Sequence, residues 1–465
     1  MNRTNKFFLA AVVFACLCFL TLPQALAAKA FFDPDKMGDM SDFDPSNPVI
    51  PTGDTIKIAI VASFSGPAAA VGDIYFASVQ SVAHDYNKRG GILVDGKKKL
   101  VQVIRANHES KVPIAKKISE RMVLQEKVDV LWGTNGSHLM KVINQVAKKY
   151  KTIAVSAAAV SDELYDATNF TRYSFMTSFS TQQIGRGIAY YYGQMRKKEK
   201  KFYILCQDYL FGHSMAEGFK AGLKEYYPDA ELVGEDYHKL FLTDFAPYLT
   251  KIKASGAEVV YTGDWIPDAA NLLVQSRQMG LNLPFANIFI NNPPFLNQVG
   301  VEGTNGLVHL EQFGSDGKAF KTAGQIKYYK AWKNQSHKWG KPFNSATYTH
   351  GTGTIGAYRM QTYWLLDVIE RAASTDPEEI IKVWENDTWA DSSGNVYKMR
   401  AIDHKAERDL FIEIYVPPEQ QKQSMNIEPY YWFKDHSNVG PSYRIPAEKV
   451  LPKLDPKIKD IRKGY

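Results

Sequence analysis

Cysteine is scarce in this chain, with three in 465 residues. Cys16 and Cys18 sit in the first apolar run, so only Cys206 lies in the body of the sequence. A chain exported with one cysteine has no internal disulfide to rely on. Cys206 ends the apolar run that starts at Phe202 and reads as a buried strand residue. Long hydrophobic runs are also lacking. Beyond residue 27 no stretch reaches about 18 consecutive apolar residues, the length that marks a membrane span. The net charge of +7 is spread along the chain, without the basic stripe of a nucleic-acid binder, so no nucleic-acid partner is expected. Nor is there a His/Cys cluster at metal spacing, a phosphate-binding Walker loop or a Gly-x-Ser-x-Gly elbow. These absences argue against an enzyme and imply no metal and no cofactor. With 45% hydrophobic and 23% charged residues, the composition is that of an ordinary globular protein.

The start of the chain has its own logic. Arg3 and Lys6 precede an apolar run from Phe7 to Leu22, and Ala25-Leu26-Ala27 follows. Basic, apolar and then small residues are the order of a cleaved secretory signal over residues 1–27, which implies a periplasmic location. Its removal would take the net charge from +7 to +5, because Arg3 and Lys6 are the only charged residues there. Residues 28–54 carry Asp33, Asp35, Asp39, Asp42 and Asp44 among several prolines. They read as a solvated, flexible acidic linker. A calcium loop is disfavoured because Met37 stands where a ligand is needed.

From residue 55 buried strands and amphipathic helices alternate. Ile56–Val61, Val101–Ile104, Val128–Trp132 and Thr152–Val155 read as strands, with helices around 76–86, 114–126 and 138–150. The alternation restarts with strands at Lys201–Cys206, Ala257–Tyr261 and Asn287–Ile290, and helices at 182–196, 214–226, 245–254 and 268–279. A long helical stretch over 351–373 and a strand at Phe411–Val416 follow. This is the pattern of right-handed βαβ units, giving two α/β lobes, each a parallel sheet flanked by helices. Ligands of such sheets sit beyond the carboxyl ends of the strands. That places the site on loops 62–72, 133–138 and 156–162 of the first lobe, and 207–213, 263–268 and 291–295 of the second.

Several segments, in order, carry a family resemblance: Ser65-Gly66-Pro67 through Gly72, Asn87-Lys88-Arg89-Gly90-Gly91, Val128 to Gly133, Val155-Ser156-Ala157-Ala158, Asp208 to Gly212, and Asp244-Phe245. Over about residues 55–416 the chain resembles the solute-binding proteins of ABC importers, specifically the leucine/isoleucine/valine-binding type. The resemblance implies a two-lobed periplasmic-binding (Venus flytrap) fold with three interlobe crossovers. Lobe one would take residues 55–178 and 308–410 and lobe two 179–307. Residues 411–465 would form the third crossover and a wrapping tail. It also implies a small-molecule ligand, an amino acid or a small organic carboxylate, delivered to ABC permease subunits in the membrane. A ligand-sensing role beside a receptor is the alternative that the same fold serves.

The resemblance also marks the candidate ligand residues. Loop 133–138 exposes backbone N–H groups before a helix, which suits an anion. Asn135 and Gly136 lie in that loop, and Ser137 falls at the position that holds the ligand carboxylate in the family; its competing role is a helix cap. Ala158, Ala159 and Val160 follow the fourth strand. The amino-acid binders place a threonine at Val160 and an aspartate, for the ammonium, at Thr181, so this chain departs from their pattern twice. Asp268 matches an acidic position of the family and offers a replacement. Phe64, Tyr75, Tyr209, Phe211 and Trp265 supply rings for a cleft wall, with core packing as the competing role. His108 and His138 read as ordinary loop histidines.

Overall fold

The computed structural model describes residues 30–291, 293–312, 335–345, 354–391, 394–420 and 438–459. The expected signal at 1–27, with Cys16 and Cys18, lies outside the described residues, as do 351–353 of the long helix and 421–437 of the tail.

A short strand β1 (Ala30–Phe31) precedes the first α/β run. That run comprises β2 (Thr55–Ala62), α1 (Ala69–Lys88), the hairpin β3 (Ile92–Val94) and β4 (Lys97–Asn107), then α2 (Val112–Leu124), β5 (Val130–Gly133), α3 (Ser137–Tyr150), β6 (Ile153–Ser156) and β7 (Ser174–Met176). The second run begins with α4 (Thr181–Tyr190) and continues as β8 (Lys201–Gln207), α5 (Leu210–Tyr226), β9 (Glu231–His238), α6 (Ala246–Ser255), β10 (Val259–Tyr261), α7 (Asp268–Gln278), β11 (Phe285–Asn287), α8 (Pro293–Thr304) and β12 (Val308–Glu311). The chain then returns through α9 (Thr354–Ala372), α10 (Pro377–Trp384), β13 (Thr388–Ala390), β14 (Val396–Met399) and β15 (Ala406–Glu407). It ends with β16 (Leu410–Val416), β17 (Asn438–Ile445) and the single turn α11 (Ala447–Val450).

Lobe one holds a six-stranded sheet in the order β3-β4-β2-β5-β6-β7, parallel except for the β3–β4 hairpin. Lobe two holds a seven-stranded sheet in the order β17-β16-β12-β11-β10-β8-β9. The two share one winding. The first strand of each lobe, β2 or β8, has the second strand on one side and the third on the other. The topological switch points, where ligands of open sheets bind, are therefore the β2/β5 and β8/β10 crevices. The central strands are buried on both faces, as parallel sheets require. In β8, Phe202, Ile204 and Cys206 join one core while Tyr203 and Leu205 join the other. Trp132, Trp364, Trp384 and Trp389 are fully buried in lobe one.

Three sequence expectations change. Residues 30–54 do not hang free, because their apolar residues have a surface to cover. Phe32, Met40 and Phe43 are buried in the first core, β1 pairs with β13, and Asp42 holds both Lys88 (2.5 Å) and His84 (2.9 Å). The boundary at 307/308 also moves, since β12 completes the sheet of lobe two beside β11. Finally, Phe411–Val416 is an antiparallel strand of lobe two, held between β12 and β17.

Three connections join the lobes: from β7 to α4, between Glu311 and the lobe-one residue Trp339, and from β15 to β16. Arg408, on the third, ties them together. Its side chain is 1% exposed, lies 3.9 Å from the ring centre of Tyr397, and donates to the Thr177 carbonyl of the first and to Gln312 Oε1 of the second. Gln312 Oε1 also accepts from Ser178 Oγ at 3.0 Å.

Candidate functional site

The carboxyl ends of the two switch-point strand pairs face one another, and their rims touch. The His138 ring lies edge-on to Tyr209 at 5.4 Å. Val160 and Ala68 of lobe one are buried in the core cluster of lobe two. The sequence-predicted residues divide by what they do there.

On lobe one, Asn135 ties the rim together, its Oδ1 accepting from the Ser63 N–H (3.2 Å) and Thr134 Oγ1 (3.4 Å). Gly136 is the residue before α3 and makes no side-chain cap. Ser137 is the first helical residue, so its hydroxyl is not the cap that competed with ligand contact. Its Oγ accepts from the Ser161 N–H at 3.4 Å, and the side chain is 1% exposed. Ala158 is half-buried and Ala159 buried, the Ala159 carbonyl accepting from Ser156 Oγ. His108 is structural: its Nδ1 accepts from the Ser110 N–H (3.0 Å), which leaves Nε2–H to donate to Thr134 Oγ1 (2.6 Å). Burial, aided by His138, lowers it to about 4, so this imidazole is neutral.

Thr181, at the start of α4, is already engaged. Its Oγ1 donates to Asp162 Oδ2 (2.8 Å), lies 2.6 Å from Ser214 Oγ, and is fully buried. Asp162 in turn holds Lys405 at 2.6 Å. The Thr181 hydroxyl therefore belongs to the hydrogen-bond net of the interlobe connection.

On lobe two the candidates converge. Tyr209 Oη accepts from Trp265 Nε1 at 2.9 Å; Phe211 packs beside Tyr209 at 5.9 Å and Phe241 stands edge-on to Trp265 at 5.7 Å. Beneath this aromatic wall lies Asp268, fully buried. Its Oδ2 accepts from Gln207 Nε2 (2.7 Å) and the Phe241 N–H (2.9 Å), while Oδ1 is buried without a protein partner. Burial raises its carboxyl to about 6, against the opposing pull of the Gln207 hydrogen bond. Sequence reasoning missed its neighbours. His238 Nε2 meets Asp264 Oδ2 at 2.8 Å, and both side chains are fully buried. Burial alone would lower His238, but the Asp264 carboxylate outweighs it and the net shift is upward. Only the acidic residue before Trp265 could have signalled this pair, because His238 reaches it from β9.

The other two predicted rings belong to lobe one. Tyr75 is buried edge-on against Trp132 (5.2 Å) and Tyr358 (5.0 Å). Phe64 lies under the Arg105 guanidinium at 5.2 Å, lining an outer groove with Phe76 and Phe343.

Two doubly wound lobes with three connections and facing switch points define a type I periplasmic-binding fold. Residues 55–413 match the periplasmic binding protein family model, and the chain belongs to that family. It is 24% identical over 256 residues to Leu/Ile/Val-binding protein homolog 4 of Brucella abortus, covering 54% of this chain and 60% of that one. It is 26% identical over 235 residues to an amino acid binding protein of Pseudomonas aeruginosa, covering 50% and 59%. The chain thus spans about 60% of the length of these curated relatives. Among solved structures it is similar to a leucine-, isoleucine-, valine-, threonine- and alanine-binding protein from Brucella ovis in its closed conformation (TM-score 0.69, 19% identity, 86% and 98% of the two chains). It is also similar to a solute-binding protein from R. palustris in complex with 4-hydroxybenzoate (TM-score 0.68, 16% identity, 85% and 98%). The family is one of extracytoplasmic solute binders. Among the described residues no helix is long and apolar enough to cross a membrane.

Proposed function

We propose that this protein captures a small solute, an amino acid or a small organic carboxylate, in the interlobe cleft by hinge closure and delivers it to an ABC permease. The observation that carries the reading is the pairing of complementary rims. Lobe one offers Ser137 at a helix N-terminus, suited to a carboxylate; lobe two offers the Tyr209–Trp265 wall above a buried carboxylate with one unpaired oxygen. Relatives named for Leu/Ile/Val and a neighbour holding 4-hydroxybenzoate support a ligand with an acidic end. Because Thr181 is occupied by Asp162 and Ser214, a positively charged group on the solute would be met by Asp268. The remaining candidates, Asn135, Gly136, Ala158, Ala159 and Val160, shape the lobe-one rim.

The test is a thermal-shift screen over amino acids, aliphatic acids, aromatic acids and amides, since a bound ligand raises the melting temperature by mass action. Calorimetry on the best compound then follows. Ser137→Ala is expected to weaken binding of a carboxylate about tenfold, the value of one charge-assisted hydrogen bond, while the free protein still melts in one cooperative transition. Unchanged affinity would remove Ser137 from the site, and a screen without a single stabilising solute would reject the capture function.

A further inference from the structure

The matched family region ends at residue 413, yet the chain continues and crosses between the lobes once more. β17 is anchored in the sheet of lobe two beside β16. The turn α11 after it is anchored there as well. Val450 is fully buried in that core, the Ala447 N–H donates to Asp409 Oδ1 (3.0 Å), and Tyr226 Oη donates to the Lys449 carbonyl (2.6 Å).

The next residues reach the other lobe. Asp455 Oδ2 accepts from the N–H of Ala167 at 3.2 Å. Ala167 belongs to the lobe-one segment between β6 and β7. Asp455 also fixes its own turn, its Oδ1 accepting from the Lys457 N–H at 2.9 Å, and Ile458 is 1% exposed. Between the anchors lies a groove of about 670 Å³, lined from lobe one by Asp162 and Lys405, from lobe two by Arg186 and Glu225, and from the tail by Lys453 and Asp455.

We infer that residues 447–458 form a strap across the interlobe joint that restrains hinge rotation, whatever solute the cleft takes. Three covalent connections permit a hinge; a fourth, non-covalent one anchored on both lobes must break or stretch when the lobes rotate. The rims already touch through His138 and Tyr209, so rotation away from the observed arrangement separates them. Loss of the strap therefore shifts the ligand-free protein toward more open forms.

Spin labels at Lys117→Cys on α2 and Lys253→Cys on α6, both exposed positions, report the interlobe distance by pulsed electron resonance in the ligand-free chain. Buried Cys206 stays unlabelled, and Cys16 and Cys18 are replaced by serine in every sample. The full chain is expected to give a narrow distribution, and a chain stopped after Val450 to add a longer-distance population while its circular-dichroism melting curve stays cooperative. Should the shortened chain fail to fold, the full-length Asp455→Ala, Ile458→Ala double variant is read the same way. Identical distance distributions in the full chain and in the folded variant would overturn the strap.

Discussion

Single residues show how far chemistry can be read from a string of letters. Asp268 was legible because it matches an acidic position of the family that the sequence resembles. Its partners were not, since Gln207 comes from β8 and Phe241 from the loop after β9. Burial sets its carboxyl near 6, above the unfolded value of about 3.9. The native state therefore holds this proton more tightly than the unfolded chain. The associated stability is full below about pH 4 and is lost as pH rises through about 6. Asp268→Asn cannot titrate, so its stability relative to the parent should improve by about 1–3 kcal/mol between pH 4 and pH 7. Urea unfolding of both ligand-free proteins at the two pH values reads the difference; a constant gap would show that Asp268 ionises as easily as in the unfolded chain. Cys206 was legible in full: it is buried in a strand and its thiol is pushed upward by burial. The native protein should resist thiol reagents until it unfolds.

At the scale of elements, most of the strongly apolar strands and the helices with a regular buried stripe appear where the sequence places them; the strand expected at Asn287–Ile290 instead runs over Phe285–Asn287, and 288–290 follow it as loop. Those that escaped are short or polar. β9 reads Glu-Leu-Val-Gly-Glu-Asp-Tyr-His and is a sheet edge, mostly half-exposed, so it carries no buried run to betray it. The strands of the small sheet β1-β13-β14-β15 are two to four residues long and exist only through pairing distant in sequence. Two glycines have a role that spacing alone does not reveal. A Cβ on Gly185 would stand 2.2 Å from the backbone of Gly218, and one on Gly218 would stand 2.5 Å from the Thr181 carbonyl. α4 and α5 thus touch backbone to backbone, and this contact holds the first interlobe connection against lobe two. Gly218→Ala should cost about 1–3 kcal/mol by overpacking. Chemical denaturation measures it, and an unperturbed midpoint would mean the two helices can separate freely.

For the whole molecule, the two-lobed plan followed from the repeated alternation of strand and helix, whereas the division of the chain between lobes did not. β16 joins lobe two beside β12, and residues 30–54 join lobe one, through contacts such as Val308 to Ile414 and Phe43 to Trp339, far apart in sequence and encoded by no local pattern. That interleaving has a consequence for the life of the chain before it is folded. Each lobe draws on both an early and a late stretch of sequence: a chain growing from its N-terminus has every strand of the lobe-one sheet by Met176, but the lobe-two sheet lacks β16 and β17 until synthesis is almost finished. Such dependence on distant pairings slows folding. A chain ended at residue 400 lacks the last three strands, including β16, which pairs with β12, and β17, which pairs with β16. It should unfold in urea without a single cooperative transition when followed by tryptophan fluorescence. A sharp transition like that of the full chain would mean that the early portion organises itself before the late strands arrive.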